Sequence, residues 1–177
     1  MEKLRICFIG GKQAGFIGLL TLKSTKCKIL SVVAYDDSVK ILANKLKIPT
    51  FDSIKDSNFI KYLYKSDLLL SVHGREIVPI DILKIPKFGC INVHPCLYKY
   101  KGSNPIGRFI KDENNLASVG VHYMDERVDE GKVIYEKFID IKDKNSIDEV
   151  YNQLYIHYSL AILESIDIIK SKANVKT

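Results

Sequence analysis

No apolar run in the sequence approaches the roughly 20 residues needed to cross a bilayer, so no membrane span is expected. The residues from Met1 to Ile6 run straight into a strand-like segment with no room for a signal peptide, and a cytoplasmic protein is expected. Cys7, Cys27, Cys90 and Cys96 form no C-x-x-C pair and no zinc spacing. Cys90, His94 and Cys96 would alternate onto one side of an extended segment, but no fourth ligand is evident. We therefore expect no metal and read the thiols as small, reduced and mostly buried. The stretch Gly10–Gly18, G-G-K-Q-A-G-F-I-G, is not G-x-G-x-x-G, and Gly15 is followed by Phe16 where a P-loop needs Lys-Ser/Thr. There is no G-x-S-x-G elbow, and no cysteine has the surroundings of a nucleophile, so covalent catalysis lacks support. No basic stripe with interleaved aromatics occurs, and nucleic acid is not an expected partner.

What remains is ordinary globular material: 177 residues, 46% hydrophobic and 27% charged, with no repeat or linker. One domain, 1–177, is expected. The net charge of +6 comes from scattered lysines and suits an anionic ligand such as a nucleotide, or a merely solvated basic surface. Apolar runs at Leu4–Ile9, Cys27–Tyr35, Leu68–Val72 and Cys90–Val93 read as buried strands, with helical stretches at Phe16–Leu22 and Val39–Leu46. Their alternation predicts a Rossmann-like α/β fold: a mostly parallel central sheet with helices on both faces. Val119–Met124 and Lys132–Asp140 flank an acidic turn and predict antiparallel strands near the C-terminal end. Ser146-Ile147-Asp148-Glu149 has the form of a capping box and opens a long C-terminal helix, whose broad apolar surface is a candidate for a homodimer contact.

The chemistry concentrates between Gly89 and Glu136. Asn92 and His94 alternate along a strand, so their side chains point the same way, and Pro95 places them at its carboxyl edge, where parallel sheets bind ligands. A hydrogen-bonded structural pair is the bland alternative to a catalytic one. Asp129 lies among Asp125, Glu126 and Glu130. That crowding is expected to raise a carboxyl pKa toward neutrality, as a base requires, unless the segment is simply an acidic surface turn. His122 and His157 read as structural. The glycine-rich first turn could hold an anion through its backbone amides or could be purely structural.

Three linked segments resemble the folate-dependent formyltransferase family: Asn92-Val93-His94-Pro95, then Leu97–Gly102 (L-Y-K-Y-K-G), then Gly120-Val121-His122-Tyr123-Met124 leading to Asp129-Glu130-Gly131. The departures are Cys96 where the family usually has Ser, and Glu130 within its D-T/A-G. The resemblance implies formyl transfer from 10-formyltetrahydrofolate, as co-substrate and without a metal, to a primary amine. It implies that Asn92, His94 and Asp129 are catalytic, and that Arg75, Glu76, Ile77, Val78 and Asp125 contact the folate. Gly11, Lys12, Gln13, Pro95 and Gly102 would contact the amine substrate. The tRNA-specific relatives carry a second, C-terminal domain, which leads us to expect a nucleotide-linked amino sugar as acceptor. Glycinamide ribonucleotide is the alternative, and a formyltetrahydrofolate hydrolase or a non-catalytic folate-binding module represents a different class.

Overall fold

Residues 3–174 are described by a computed structural model of the chain. The expected apolar runs form β1 (Arg5–Gly10), β2 (Lys28–Ala34), β4 (Leu68–Val72) and β5 (Cys90–Pro95), and a two-residue β3 (Thr50–Phe51) joins them. The later pair forms β6 (Leu116–Tyr123) and β7 (Val133–Asp140). All seven belong to one sheet of order β3-β2-β1-β4-β5-β6-β7. β1 to β5 are parallel, whereas β5–β6 and β6–β7 are antiparallel. The fold is thus Rossmann-like α/β, as the sequence pattern predicts.

Alternation along the strands divides the core. Ile6 and Phe8 of β1, with Ile91 and Val93 of β5, face a large cluster that includes Leu19, Val39, Phe109 and Tyr158. These come from α1 (Lys12–Ser24), α2 (Asp37–Lys45), α5 (Pro105–Lys111) and the long α6 (Ile147–Asn174). Cys7, Ile9 and Cys90 face the other way, onto Phe59 and Leu63 of α3 (Ser57–Leu63) and Ile82 of α4 (Ile80–Leu83). Helices therefore cover both faces. The long helix starts as its sequence suggests: the Glu149 amide donates to Ser146 Oγ at 3.2 Å, and the Asn145 amide donates to the Glu149 carboxylate at 2.9 Å. Ile156 and Leu160 on this helix remain exposed.

β5 ends at Pro95, as the sequence suggests, and one local expectation beyond it is corrected. Cys96 then takes a left-handed conformation (φ 53°) that turns its side chain into the cluster opposite to that of Cys90, so the two thiols and His94 do not share a side.

Candidate active site

The order of strands reverses beside β1: β2 lies on one side and β4 on the other. Open parallel sheets bind ligands at the carboxyl ends of strands near such a reversal. Here a cavity of about 740 Å³ opens at that edge, lined from β4, β5, β6 and the loops that follow them. It straddles the sheet. Val78, Leu83 and Met124 wall it on the α4 side, and Ile106 and Tyr151 wall it on the α5–α6 side.

On its lining is Asp129, left-handed (φ 56°) in the β6–β7 connection. Gly131 makes that tight return achievable, because a Cβ there would collide with the Tyr123 carbonyl. Asp129 Oδ2 lies 3.1 Å from His94 Nε2 and accepts the Gly102 N–H at 2.7 Å. Its Oδ1 lies 3.3 Å from His122 Nε2 and 3.5 Å from Asn92 Nδ2. His94 Nε2 is also 3.1 Å from the Gly102 carbonyl, while Nδ1 is buried without a hydrogen-bond partner among the described residues. One carboxylate thus gathers a strand pair, a loop amide and a second histidine.

The electrostatics correct the expectation of a base poised near neutrality. Burial pushes the Asp129 carboxyl up, but the His122 hydrogen bond, the His94 charge and the Gly102 N–H outweigh it and bring it down to about 2. The acidic neighbours do not crowd it. Glu130 pairs with Lys101 at 2.7 Å, and Asp125 accepts the Arg127 N–H at 2.9 Å. Burial is also the main influence on His94, and it holds the imidazole below its ordinary value despite the opposing pull of Asp129 and the Gly102 carbonyl. Near pH 7 the pair is a carboxylate beside a neutral imidazole. Asn92 makes only long contacts, 3.5 Å to both Asp129 and His122, so its amide can still donate to an oxygen in the cavity.

His122 emerges from the structure as part of this cluster. It is directly opposite Asn92 across the β5–β6 ladder, is 1% exposed, and its Nδ1 is 2.8 Å from the Tyr123 carbonyl. A polar residue at the end of an otherwise apolar V-G-V strand was the available signal, and the long-range strand register was needed to read it.

Arg75, Glu76, Ile77, Val78 and Asp125 all line the cavity. Glu76 also anchors its loop, accepting from Ser53 Oγ at 3.0 Å and from the Ile54 amide at 3.3 Å. Ile77 is 79% exposed, which leaves its apolar side chain available to a ligand. Lys12, Pro95 and Gly102 also line the cavity, but Gly11 and Gln13 do not. The Gly11 N–H donates to the Val72 carbonyl at 3.2 Å, and Gln13 accepts the Tyr155 hydroxyl at 2.8 Å. Nor is the first turn an open anion cradle, because the Asp36 carboxylate already accepts the Lys12 N–H. Its glycines serve packing: a Cβ on Gly15 would come within 2.9 Å of the Gly10 carbonyl carbon. Among the described residues no cluster of three His, Cys, Asp or Glu could hold a metal ion.

The comparisons with known proteins agree with this geometry. The chain is 31% identical over 188 residues to the bifunctional polymyxin resistance protein ArnA of Wigglesworthia glossinidia brevipalpis, an alignment covering 97% of this chain and 29% of that protein. It is also 31% identical over 179 residues to the methionyl-tRNA formyltransferase of Thermodesulfovibrio yellowstonii, covering 92% of this chain and 58% of that one. The chain thus spans less than two thirds of the length of each of these two relatives. Among solved structures, phosphoribosylglycinamide formyltransferase from Anaplasma phagocytophilum superposes with a TM-score of 0.82 at 19% identity, covering 97% of this chain and 89% of that chain. At that identity the likeness speaks for the fold alone. Residues 10–165, which hold the whole Asn92–His94–Asp129 cluster, match the family described as formyl transferase, and the chain belongs to that family.

Proposed function

We propose that residues 1–177 act as one catalytic unit that transfers a formyl group from 10-formyltetrahydrofolate to a primary amine on a nucleotide-linked sugar. The observation that carries this reading is the partly buried Asp129 carboxylate, bound to His94 and Gly102 and adjoining Asn92, on the lining of a cavity with two walls. Formyl transfer needs a donor for the developing oxyanion and a group that moves one proton. As the amine nitrogen bonds to the formyl carbon, the C=O electron pair moves to oxygen, where the Asn92 amide N–H stabilises it. Neutral His94 takes a proton from the attacking nitrogen, and Asp129 stabilises the resulting imidazolium. When the bond to the folate nitrogen breaks, His94 returns that proton to the leaving nitrogen. The products are an N-formyl amine and tetrahydrofolate.

The loop 74–79, with Met124 and Asp125, would receive the folate. The opposite wall would receive the acceptor. His73 and Tyr151 lie there with ring centroids 5.3 Å apart, offering flat surfaces to a sugar or base, and Lys12 offers a cation to phosphate. The sealed first turn leaves phosphate recognition to side chains such as Lys12. Sequence similarity to the bifunctional polymyxin resistance protein and to methionyl-tRNA formyltransferases leaves glycinamide ribonucleotide as the second choice.

The test is tetrahydrofolate release, followed by absorbance, from 10-formyltetrahydrofolate in the presence of dTDP- and UDP-linked amino sugars or glycinamide ribonucleotide. Release that depends on one amino sugar is the expected result. Release dependent only on glycinamide ribonucleotide would reassign the acceptor. Release without any amine would make the protein a hydrolase, and folate binding without release would leave only a binding module.

A further inference from the structure

Arg108 sits on α5 and is not part of the cavity wall, yet it grips the loop on which the site depends. Its Nη2 donates to the Tyr100 carbonyl at 3.0 Å and to the Lys101 carbonyl at 2.5 Å. The second contact matters most. The Lys101 carbonyl belongs to the same peptide unit as the Gly102 N–H, and that N–H donates to Asp129 Oδ2 at 2.7 Å. In a planar trans peptide the C=O and N–H point in opposite directions. A single peptide therefore links a guanidinium on one side to a carboxylate on the other. A cation on the carbonyl polarises the peptide and strengthens the N–H as a donor. The next carbonyl, that of Gly102, faces His94 Nε2 at 3.1 Å, so the orientation of this one loop sets contacts to both Asp129 and His94.

The surroundings hold Arg108 to this task. Its guanidinium carbon is 5.9 Å from the Tyr100 ring centroid. Tyr100 is itself buried, and its hydroxyl donates to Asp112 at 3.0 Å. The Arg108 Nε is buried without a hydrogen-bond partner among the described residues, so the two carbonyls are the contacts that steady this partly buried charge.

We propose that Arg108 is a positioning residue for formyl transfer, acting through the Lys101–Gly102 peptide to fix and polarise the amide that holds Asp129. The proposal rests on the formyl-transfer reading above, but it can be tested apart from it. Arg108→Met removes the charge and both donors at similar bulk. Arg108→Lys keeps the charge but offers one compact ammonium in place of a planar fork. For Arg108→Met, kcat is expected to fall about 10- to 100-fold, the scale of a small misplacement at the reacting centre, while KM for the formyl donor changes less than about threefold. Arg108→Lys is expected to recover much of the loss.

The second readout needs no turnover: the titration of His94, followed by NMR in ligand-free protein labelled at histidine. His94 is faced by Asp129 and His122, with His73 nearby. Removing a cation and weakening the Gly102 N–H both leave Asp129 a stronger proton attractor. The His94 pKa should therefore rise by about half a unit or more. A purely structural Arg108 would lower the melting temperature of the variant, leaving kcat within twofold and the His94 titration in place, and that result would overturn the proposal. Should Arg108→Met fail to fold, Arg108→Lys decides the matter, since unchanged kcat and unchanged titration there reject it equally. If the wild-type protein moves no formyl group to any amine, the functional reading fails, and the His94 shift still judges Arg108.

Discussion

Two carboxylates, Asp36 and Asp129, each organise a turn at the carboxyl edge of the same sheet, with opposite results. Asp36 closes the glycine-rich turn after β1: it accepts the Lys12 N–H, caps α2 through the Val39 amide at 3.2 Å, and takes the Ser38 hydroxyl at 2.6 Å. Its partners lie within the polypeptide framework, and the Lys12 N–H of that turn is already used. Asp129 instead collects His94, His122 and Asn92, side chains that line a cavity, along with one loop amide. Both carboxyls are held below their ordinary value against the opposing effect of burial. A depressed carboxyl is therefore no mark of a reactive site by itself; what matters is whether its partners face a cavity or the backbone. The turn that looks more like a ligand cradle in sequence gives the cavity one side chain, Lys12, while its Lys12 N–H is held by Asp36.

The sharpest contrast should come from removing partners of Asp129. His94→Ala is expected to reduce turnover on the order of 1000-fold, and Asn92→Ala about 100- to 1000-fold, with folate binding largely retained. Steady-state kinetics with the identified amine, beside a folate-binding isotherm, checks both. Comparable losses from Gly11 or Gln13 substitutions would erase the distinction between the two turns.

The pH profile sharpens it further. His94 must be neutral to accept a proton, and burial keeps its pKa below the ordinary imidazole value. The acid limb of kcat/KM should therefore lie below pH ~6.5, and activity should hold from neutrality down toward it. A limb at or above the ordinary imidazole pKa would show that His94 is not the proton acceptor or is not buried as described.

Changes in the first turn should affect stability and spare chemistry. Gly15→Ala forces a methyl against the Gly10 backbone and is expected to cost about 1–3 kcal/mol, read by chemical denaturation, with kcat within about twofold. The smallest effect belongs to the Lys101–Glu130 pair, which ties the two loops of the site together across 2.7 Å with both side chains substantially exposed. Solvent screens such a pair, so Glu130→Gln should change kcat less than about twofold, and less still at high salt.

Much of this architecture was legible in the sequence. Mainly apolar runs marked the parallel strands, and the Ser146–Glu149 box marked the start of α6, because both signals are local. β3 escaped because two residues carry no periodicity. α5 escaped because Pro105 and Gly107 make a weak helical pattern, although proline at the first helical position is a favoured start. Of the site, the Asn92–His94 alternation was readable along one strand. The sealing of the first turn by Asp36, 24 residues away, was not, nor was the pairing of Asn92 with His122 across the β5–β6 ladder. The low pKa of Asp129 was misjudged for the same reason: neighbours in sequence are acidic, but neighbours in space are histidines and an amide.

The most direct test of the account is the amine-dependent release of tetrahydrofolate by Asp129→Asn, compared with the wild-type protein at neutral pH. Asparagine keeps the size but not the charge that orients His94 and stabilises its protonated form. The account predicts a loss on the order of 1000-fold in kcat by a folded, folate-binding variant. Turnover within tenfold of the wild type would contradict it, because the Asp129 carboxylate would then not be what organises the reaction.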